Sequence, residues 1–238
     1  MTTDVTASLD HLRLLGALQD EFLATIPLVD PTTRVPWCGR WRVRDLVVHL
    51  ARVHHWASGQ ASRRRETPLG RGPFDLVDLY ATCAAELRDT LTALGPDAPA
   101  STLVGPGPAS FWHRRQLHET LVHLWDLRTA GGLPLDVDPA VWADTVDEVV
   151  TVMQPRQEHL GRMEPLPAPV ALVATDLRPA ARATWSLGGD GAPAVTVRGA
   201  AQDLALLVWG RRTPDDDGLG VDGDRAALDD ALARRLTP

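Results

Sequence analysis

Arg114-Arg115-Gln116-Leu117-His118-Glu119-Thr120-Leu121-Val122-His123-Leu124-Trp125-Asp126-Leu127 is the stretch whose reading decides the fold. Projected at about 100° per residue, Leu117, Leu121, Val122, Leu124, Trp125 and Leu127 cover most of a helical circumference. They leave one narrow polar stripe of Gln116, Glu119, His123 and Asp126. So little polar surface predicts a helix buried among other helices. Glu119 and His123 stand four residues apart and are neighbours on a helical surface. A carboxylate oxygen and an imidazole nitrogen at that spacing can grip one metal ion. A buried carboxylate is costly unless it is paired or bound to a cation, which favours that reading. Two ligands hold an ion weakly, so a third has to come from elsewhere in the chain.

The second helical pattern, Val43 to Ser58, offers it. In Asp45-Leu46-Val47-Val48-His49-Leu50-Ala51-Arg52-Val53, His49 projects at the edge of the apolar arc formed by Leu46 and Leu50, facing inward or nearly so. Periodicity leaves a second reading open, in which Glu119 and His123 are an exposed pair and His49 is a core histidine bonded to a carbonyl. His54 and His55 lie well round the helix from His49, and His118 points away from the Glu119 stripe. These three, with His113 and His159, are expected in packing or solvent roles.

A first helix is expected from Ser8 to Ile26, where Leu9, Leu12, Leu15, Leu18, Phe22 and Leu23 recur at three-and-four spacing. A third runs from Phe74 to Leu94 and stops at Gly95-Pro96. Gly105 to Pro108 reads as a loop into the decisive helix, which Gly131-Gly132 closes. A fifth starts at Asp138-Pro139, with Asp138 as N-cap and Pro139 at the first helical position, and Pro155 bends or ends it. The proline-rich run Glu164-Pro165-Leu166-Pro167-Ala168-Pro169 has the composition of a linker, which puts a domain boundary between residues 165 and 166. Beyond it the period falls towards two: Val170 to Ala174, Ala183 to Leu187, and Val195 with Val197 read as short strands, and Gly188-Gly189-Asp190-Gly191 as a turn. Ala200 to Trp209 and Arg225 to Leu236 look helical, with Val221-Asp222-Gly223 a short strand and turn between them. The expected fold class is α+β: a helical bundle over residues 1–165 and a smaller α+β domain over 166–238.

With 238 residues, 44% of them hydrophobic, the chain can bury a sizeable core. All 24 basic residues are arginine, and the net charge of −7 argues against a general nucleic-acid binder. Arg63-Arg64-Arg65, the notable basic run, reads as a solvated loop. Two cysteines, Cys38 and Cys83, make neither a disulfide framework nor a cysteine zinc cluster, which fits a reducing cytoplasm. Met1-Thr2-Thr3-Asp4-Val5 has no basic segment before an apolar core, and no apolar run approaches the roughly 20 residues that span a bilayer, so no membrane partner is expected.

Trp41-Arg42-Val43-Arg44-Asp45-Leu46-Val47-Val48-His49-Leu50 and, seventy residues on, Arg115 to Asp126 resemble the two signature segments of the mycothiol-dependent maleylpyruvate isomerase family, within the DinB-like superfamily. Val195-Thr196-Val197-Arg198-Gly199 and Leu207-Val208-Trp209-Gly210-Arg211 resemble its C-terminal domain. The resemblance implies a DinB-like four-helix bundle in which His49, Glu119 and His123 hold a divalent metal, usually zinc, with one position left open. It implies mycothiol as thiol cosubstrate, whose thiolate adds to an activated double bond of a small electrophile. Rotation and loss of the thiol then give cis-to-trans isomerisation, whereas release of the adduct makes the enzyme a thiol S-transferase. The family's arginine from the C-terminal domain, a clamp for a substrate carboxylate, falls on Arg211, with Arg212 adjacent, and Asp126 can orient a ligand. Two positions depart from the family pattern: Arg40 where glycine is common, and Arg42 where Ser or Thr would cap the helix. The second implies that Arg42→Ser raises the melting temperature. The other functions compatible with the sequence are a thiol-independent Lewis-acid enzyme of a biosynthetic pathway and a non-catalytic ligand-binding or regulatory protein on the same fold.

Overall fold

The computed structural model describes residues 9–177 and 183–237. Ser8, the first residue of the expected first helix, and the Met1–Val5 stretch read for targeting lie outside them. The chain divides into two compact units, Asp10–Leu135 and a second that runs from Asp136 onward.

The first unit is built on four helices: α1 (His11–Thr25), α2 (Val43–Ala61), α3 (Leu76–Leu94) and α4 (Ser110–Ala130). Their starts follow local chemistry. Asp10 accepts from the Arg13 amide at the head of α1, and Asp75 accepts from the Asp78 amide at the head of α3. α1 packs on α3 and α4, and α2 on α3 and α4, so the four close a ring around one core. Leu15, Phe22, Leu46, Leu50, Leu87 and Leu121 are fully buried there. Each such side chain contributes about 1.5–3 kcal/mol by leaving water. α4 is buried along most of its length, as its narrow polar stripe implies.

At the head of α2 the Asp45 carboxylate accepts from the Arg42 amide at 2.8 Å, which is half of a capping box. An arginine side chain has no acceptor for the other half. The Arg42 guanidinium instead donates to the Thr32 carbonyl, beside a backbone bridge between Arg34 and Arg42. Arg42→Ser therefore gains a cap and loses that bond, each about 1 kcal/mol, and the expected rise in melting temperature is offset.

The Gly105–Pro108 segment, read as a loop, is strand β2 (Gly105–Pro108) of a hairpin with β1 (Pro99–Thr102), in register from Pro99 opposite Pro108 to Thr102 opposite Gly105. Its prolines are tolerated because β2 is an edge strand with no second neighbour. Trp112 Nε1 donates to the Ser101 carbonyl and ties the hairpin to α4.

The second unit begins with α5 (Pro139–Glu148), capped by Asp138 accepting from the Ala140 amide at 2.8 Å. A wide turn at Val149–Met153 follows, then α6 (Gln154–His159), in which Pro155 sits in the first turn, where its missing N–H costs nothing. Strands β3 (Val170–Ala174), β4 (Thr184–Leu187), β5 (Val195–Gly199) and β6 (Gly220–Gly223) form one sheet in the order β4-β3-β5-β6. β3 and β5 are parallel and the outer pairs antiparallel. α7 (Ala201–Val208) and α8 (Arg225–Ala233) pack on β3 and β5, and α5 packs on α7. The division between units thus falls before α5, not in the proline-rich segment at 164–169. That segment is built into the second unit: Leu166 is buried, the Pro169 carbonyl accepts from the Ala194 amide, and Arg234 donates to the Glu164 and Pro165 carbonyls. Among the described residues no helix is long and apolar enough to cross a membrane.

The connection from α2 to α3 is fastened by His55. Its Nδ1 lies 2.6 Å from Glu86 Oε2 on α3, and its Nε2 lies 2.6 Å from the Thr67 carbonyl. Both partners are acceptors, and a neutral imidazole has only one donor, so the geometry calls for the imidazolium. Burial opposes that charge, but the bonds to Glu86 and Thr67 and the charges of Glu86 and Glu66 outweigh it and raise the pKa above 6.5. A raised folded-state pKa means stabilisation that is complete below about pH 6.5 and lost as pH rises through the folded value. Denaturant titrations of wild type and His55→Gln from about pH 6 to about pH 9 should show a stability gap that shrinks with rising pH; a constant gap would exclude a charged latch.

Candidate metal centre

His49 on α2 and Glu119 and His123 on α4 offer one ligand atom each, all within 4.8 Å of one another. His49 Nε2 is 3.5 Å from Glu119 Oε1, and His123 Nε2 is 3.3 Å from the same oxygen. Ligand atoms about 2.1 Å from a tetrahedral ion stand roughly 3.4 Å apart, and the two separations between Glu119 Oε1 and the histidine nitrogens match that spacing. Two imidazoles and one carboxylate are also the composition of a site with one position left for a further ligand.

The surroundings fix each donor. Arg115, one turn before Glu119, donates to Glu119 Oε2 at 2.6 Å and so leaves Oε1 to the histidines. Burial opposes ionisation of Glu119, but Arg115 and the hydrogen bonds from His123 and His49 hold its carboxyl well below the usual range. His123 Nδ1 lies 2.9 Å from Asp126 Oδ2, and Asp126 is fully buried. With its Nδ1–H donated to Asp126, a neutral His123 turns the bare lone pair of Nε2 towards Glu119 Oε1. Two lone pairs at 3.3 Å need a proton or a cation between them. In the metal-free protein the proton takes that place. Burial of His123 works against it, but the bonds to Asp126 and Glu119 raise the pKa to about 8. Trp41 lies against His49, ring centroids 4.7 Å apart, and restricts its ring.

Among the remaining histidines, His159 is exposed and His55 is the latch described above, while three are buried. His54 is fully buried, with Nδ1 2.8 Å from Gln116 Oε1 and Nε2 3.5 Å from the Tyr80 hydroxyl, and burial lowers its pKa to about 4. His113 and His118 are buried as well. Arg211 belongs to the second unit, in the turn after α7; its guanidinium lies 5.7 Å over the Trp209 ring and donates to the Trp209 carbonyl. Arg212 pairs with Asp203 at 3.0 Å.

Two contributors escaped the sequence. Arg115 was readable in principle, as an arginine four residues before a glutamate on a helix with almost no solvent face. Cys38 was not: its Sγ, 3.5 Å from Asp126 Oδ2, arrives from an irregular loop 88 residues away. On the open side of His49 lies a cleft of about 980 Å³ lined by α2, the Trp41 loop and the segment before α3.

The N-terminal domain model of the mycothiol maleylpyruvate isomerase family matches residues 12–128, and that family's C-terminal domain model matches residues 136–230. Two uncharacterized proteins of Mycobacterium tuberculosis, one from strain CDC 1551 / Oshkosh and one from strain ATCC 25618 / H37Rv, are each 24% identical over 157 residues, covering 65% of this chain and 85% of theirs. Crystal structures of a mycothiol-dependent maleylpyruvate isomerase and of its histidine-to-alanine mutant superpose with TM-scores of 0.67 and 0.69 at 16% identity, covering 94% of this chain and 97% of theirs, a likeness of fold. Two consecutive domain models that together span nearly the whole chain, over a fold of the same kind, lead to one conclusion: the chain belongs to the mycothiol-dependent maleylpyruvate isomerase family.

Proposed function

We propose that the protein is a divalent-metal enzyme, with zinc as the ion, that uses a low-molecular-weight thiol, mycothiol, on a small electrophilic substrate bearing a carboxylate. The observation that carries this reading is the meeting of His49, Glu119 and His123 within 4.8 Å, with two lone pairs facing each other across the space an ion would fill. An ion held there would supply the positive charge that favours the ionised form of a thiol at neutral pH. His49, Glu119 and His123 hold that charge, Arg115 keeps Glu119 ionised, and Asp126 keeps His123 in the tautomer that presents Nε2. The thiolate adds to the substrate double bond, its electron pair forming the C–S bond while the π pair moves onto the conjugated carbonyl. Rotation about the new single bond and expulsion of the same thiolate give the trans isomer; protonation of the adduct and release give the S-conjugate instead. Arg211 is proposed as a carboxylate clamp on family resemblance. Cys38 and Cys83 carry no disulfide, which supports a reducing cytoplasm as the working compartment.

Elemental analysis of the purified protein should find close to one divalent ion per chain, with most of it lost in His49→Ala and Glu119→Ala. Near-stoichiometric metal surviving both substitutions would sink the proposal. Turnover should require added thiol, which separates this enzyme from a Lewis-acid catalyst that needs none. Metal affinity should also depend on pH with a definite sign. His123 must lose its proton to bind an ion, so apparent affinity is constant above about pH 8 and falls about tenfold per unit below it. A metal titration flat across that range would show that His123 is not a ligand. Asp126→Asn should weaken metal binding by about 10–100-fold, read by competition with a chromophoric chelator, and should also lower the melting temperature of the metal-free protein, in which the buried His123 imidazolium loses its charged partner.

A further inference from the structure

The cleft beside His49 is chemically one-sided. Arg40, Arg44, Arg52 and Arg71 line it against only two carboxylates, Asp45 and Glu66, so its wall is positive in a chain whose net charge is −7. Two of these arginines already have work. Arg52 donates to the Gly70 carbonyl at 2.8 Å and lies 5.9 Å over the Phe74 ring, which straps the wall in place. Arg44 lies 3.9 Å from Asp45. Arg40 and Arg71 make no side-chain hydrogen bond or ion pair with any described residue, so their donors are available to the cleft.

The floor has a different character. His49, Arg52, Val53 and Trp56 recur at three-and-four spacing along one side of α2 and all line the cleft. From His49 to Trp56 that stripe is about 10 Å long at the rise of a helix. Trp41 closes one end against His49, and Trp56 and Phe74 add aromatic surface further along. A volume of about 980 Å³ lies at the upper end of small-molecule sites, with room for a ring-sized body.

We infer that this cleft binds an organic anion with a flat apolar body: its acidic groups meet Arg40 and Arg71, its body lies along Trp41, Val53, Trp56 and Phe74, and one end reaches His49. Guanidinium forks suit carboxylates because two parallel donors match two oxygens, and aromatic faces suit a planar body. This deepens the function proposed above by naming a substrate class for the same site, and it rests on that reading only for what happens at the His49 end. It also puts an anion clamp on the unit that carries the triad, independent of Arg211.

Binding, not turnover, tests it. Naphthoate and its uncharged counterpart naphthamide are titrated calorimetrically into the full-length protein, once loaded with zinc and once treated with chelator. Naphthoate should bind in both states. Arg40→Gln and Arg71→Gln should each weaken it about tenfold, with partial rescue by Arg40→Lys and Arg71→Lys, which keep the charge and lose the fork. Naphthamide should bind wild type at least about tenfold more weakly and ignore both substitutions. The inference is overturned if naphthoate and naphthamide bind equally, if both glutamine variants bind naphthoate like wild type, or if naphthoate binding disappears with the metal. The last result would mean that the carboxylate ligates the ion. Absence of metal or of thiol-dependent turnover would defeat the proposed function and leave these binding results standing, so the two can fail separately.

Discussion

An ionised carboxylate in the interior of a helical bundle is the constraint on which the site depends. Glu119 sits on a helix whose other faces are packed, and its side chain is only 15% exposed. Such a charge persists only where partners replace its water. Arg115 replaces it on one oxygen, and the two histidines converge on the other. From that follow the placement of His123, which Asp126 must hold by Nδ1 if Nε2 is to face Glu119, and the burial of Asp126 itself, with Cys38 as a second donor. The convergence of the three ligand atoms is thus a by-product of satisfying one carboxylate with groups that cannot all keep their protons.

α2 serves two environments at once because a helix presents different residues every 100°. Leu46, Leu50 and His54 face the core, where His54 makes a buried contact with Gln116 across to α4. His49, Arg52, Val53 and Trp56 face the cleft. His49 lies where the two sides meet, which is why its exposure is intermediate and why it can bridge a buried triad and an open cleft. The loop after α2 completes the wall, held by His55 at the Thr67 carbonyl and by Arg52 at the Gly70 carbonyl.

What was legible in the sequence is what helical periodicity encodes. The spacing of Glu119 and His123, the inward edge position of His49 and the buried character of α4 follow from 3.6 residues per turn, and the strand alternation after Val170 follows from a period of two. Composition misled where packing decides. Six residues with three prolines look like a linker, yet prolines pack as well as other apolar rings, and Leu166 and the Pro169 carbonyl are absorbed into the second unit. Gly105–Pro108 likewise looks like a loop, but it finds a partner strand in Pro99–Thr102. Cys38 and Trp41 reach the site from a segment without periodicity, so only the folded chain brings them there.

The positions at which a helix start departs from its family's pattern need not be idle. Arg40 and Arg42 flank Trp41, and their guanidinium groups go different ways. Arg42 is spent on the Thr32 carbonyl, holding the loop that carries Trp41, whereas Arg40 lines the cleft. Among the described residues, neither makes a hydrogen bond or ion pair with a triad residue. The arrangement separates two features: the geometry of the triad is set inside the bundle by Arg115 and Asp126, while the charge of the cleft is set by exposed arginines of α2 and of the segments before and after it. A substitution at Arg40 alters the charge of the cleft without disturbing the buried carboxylate, since the cost of altering an exposed side chain is small beside the cost of unpairing Glu119.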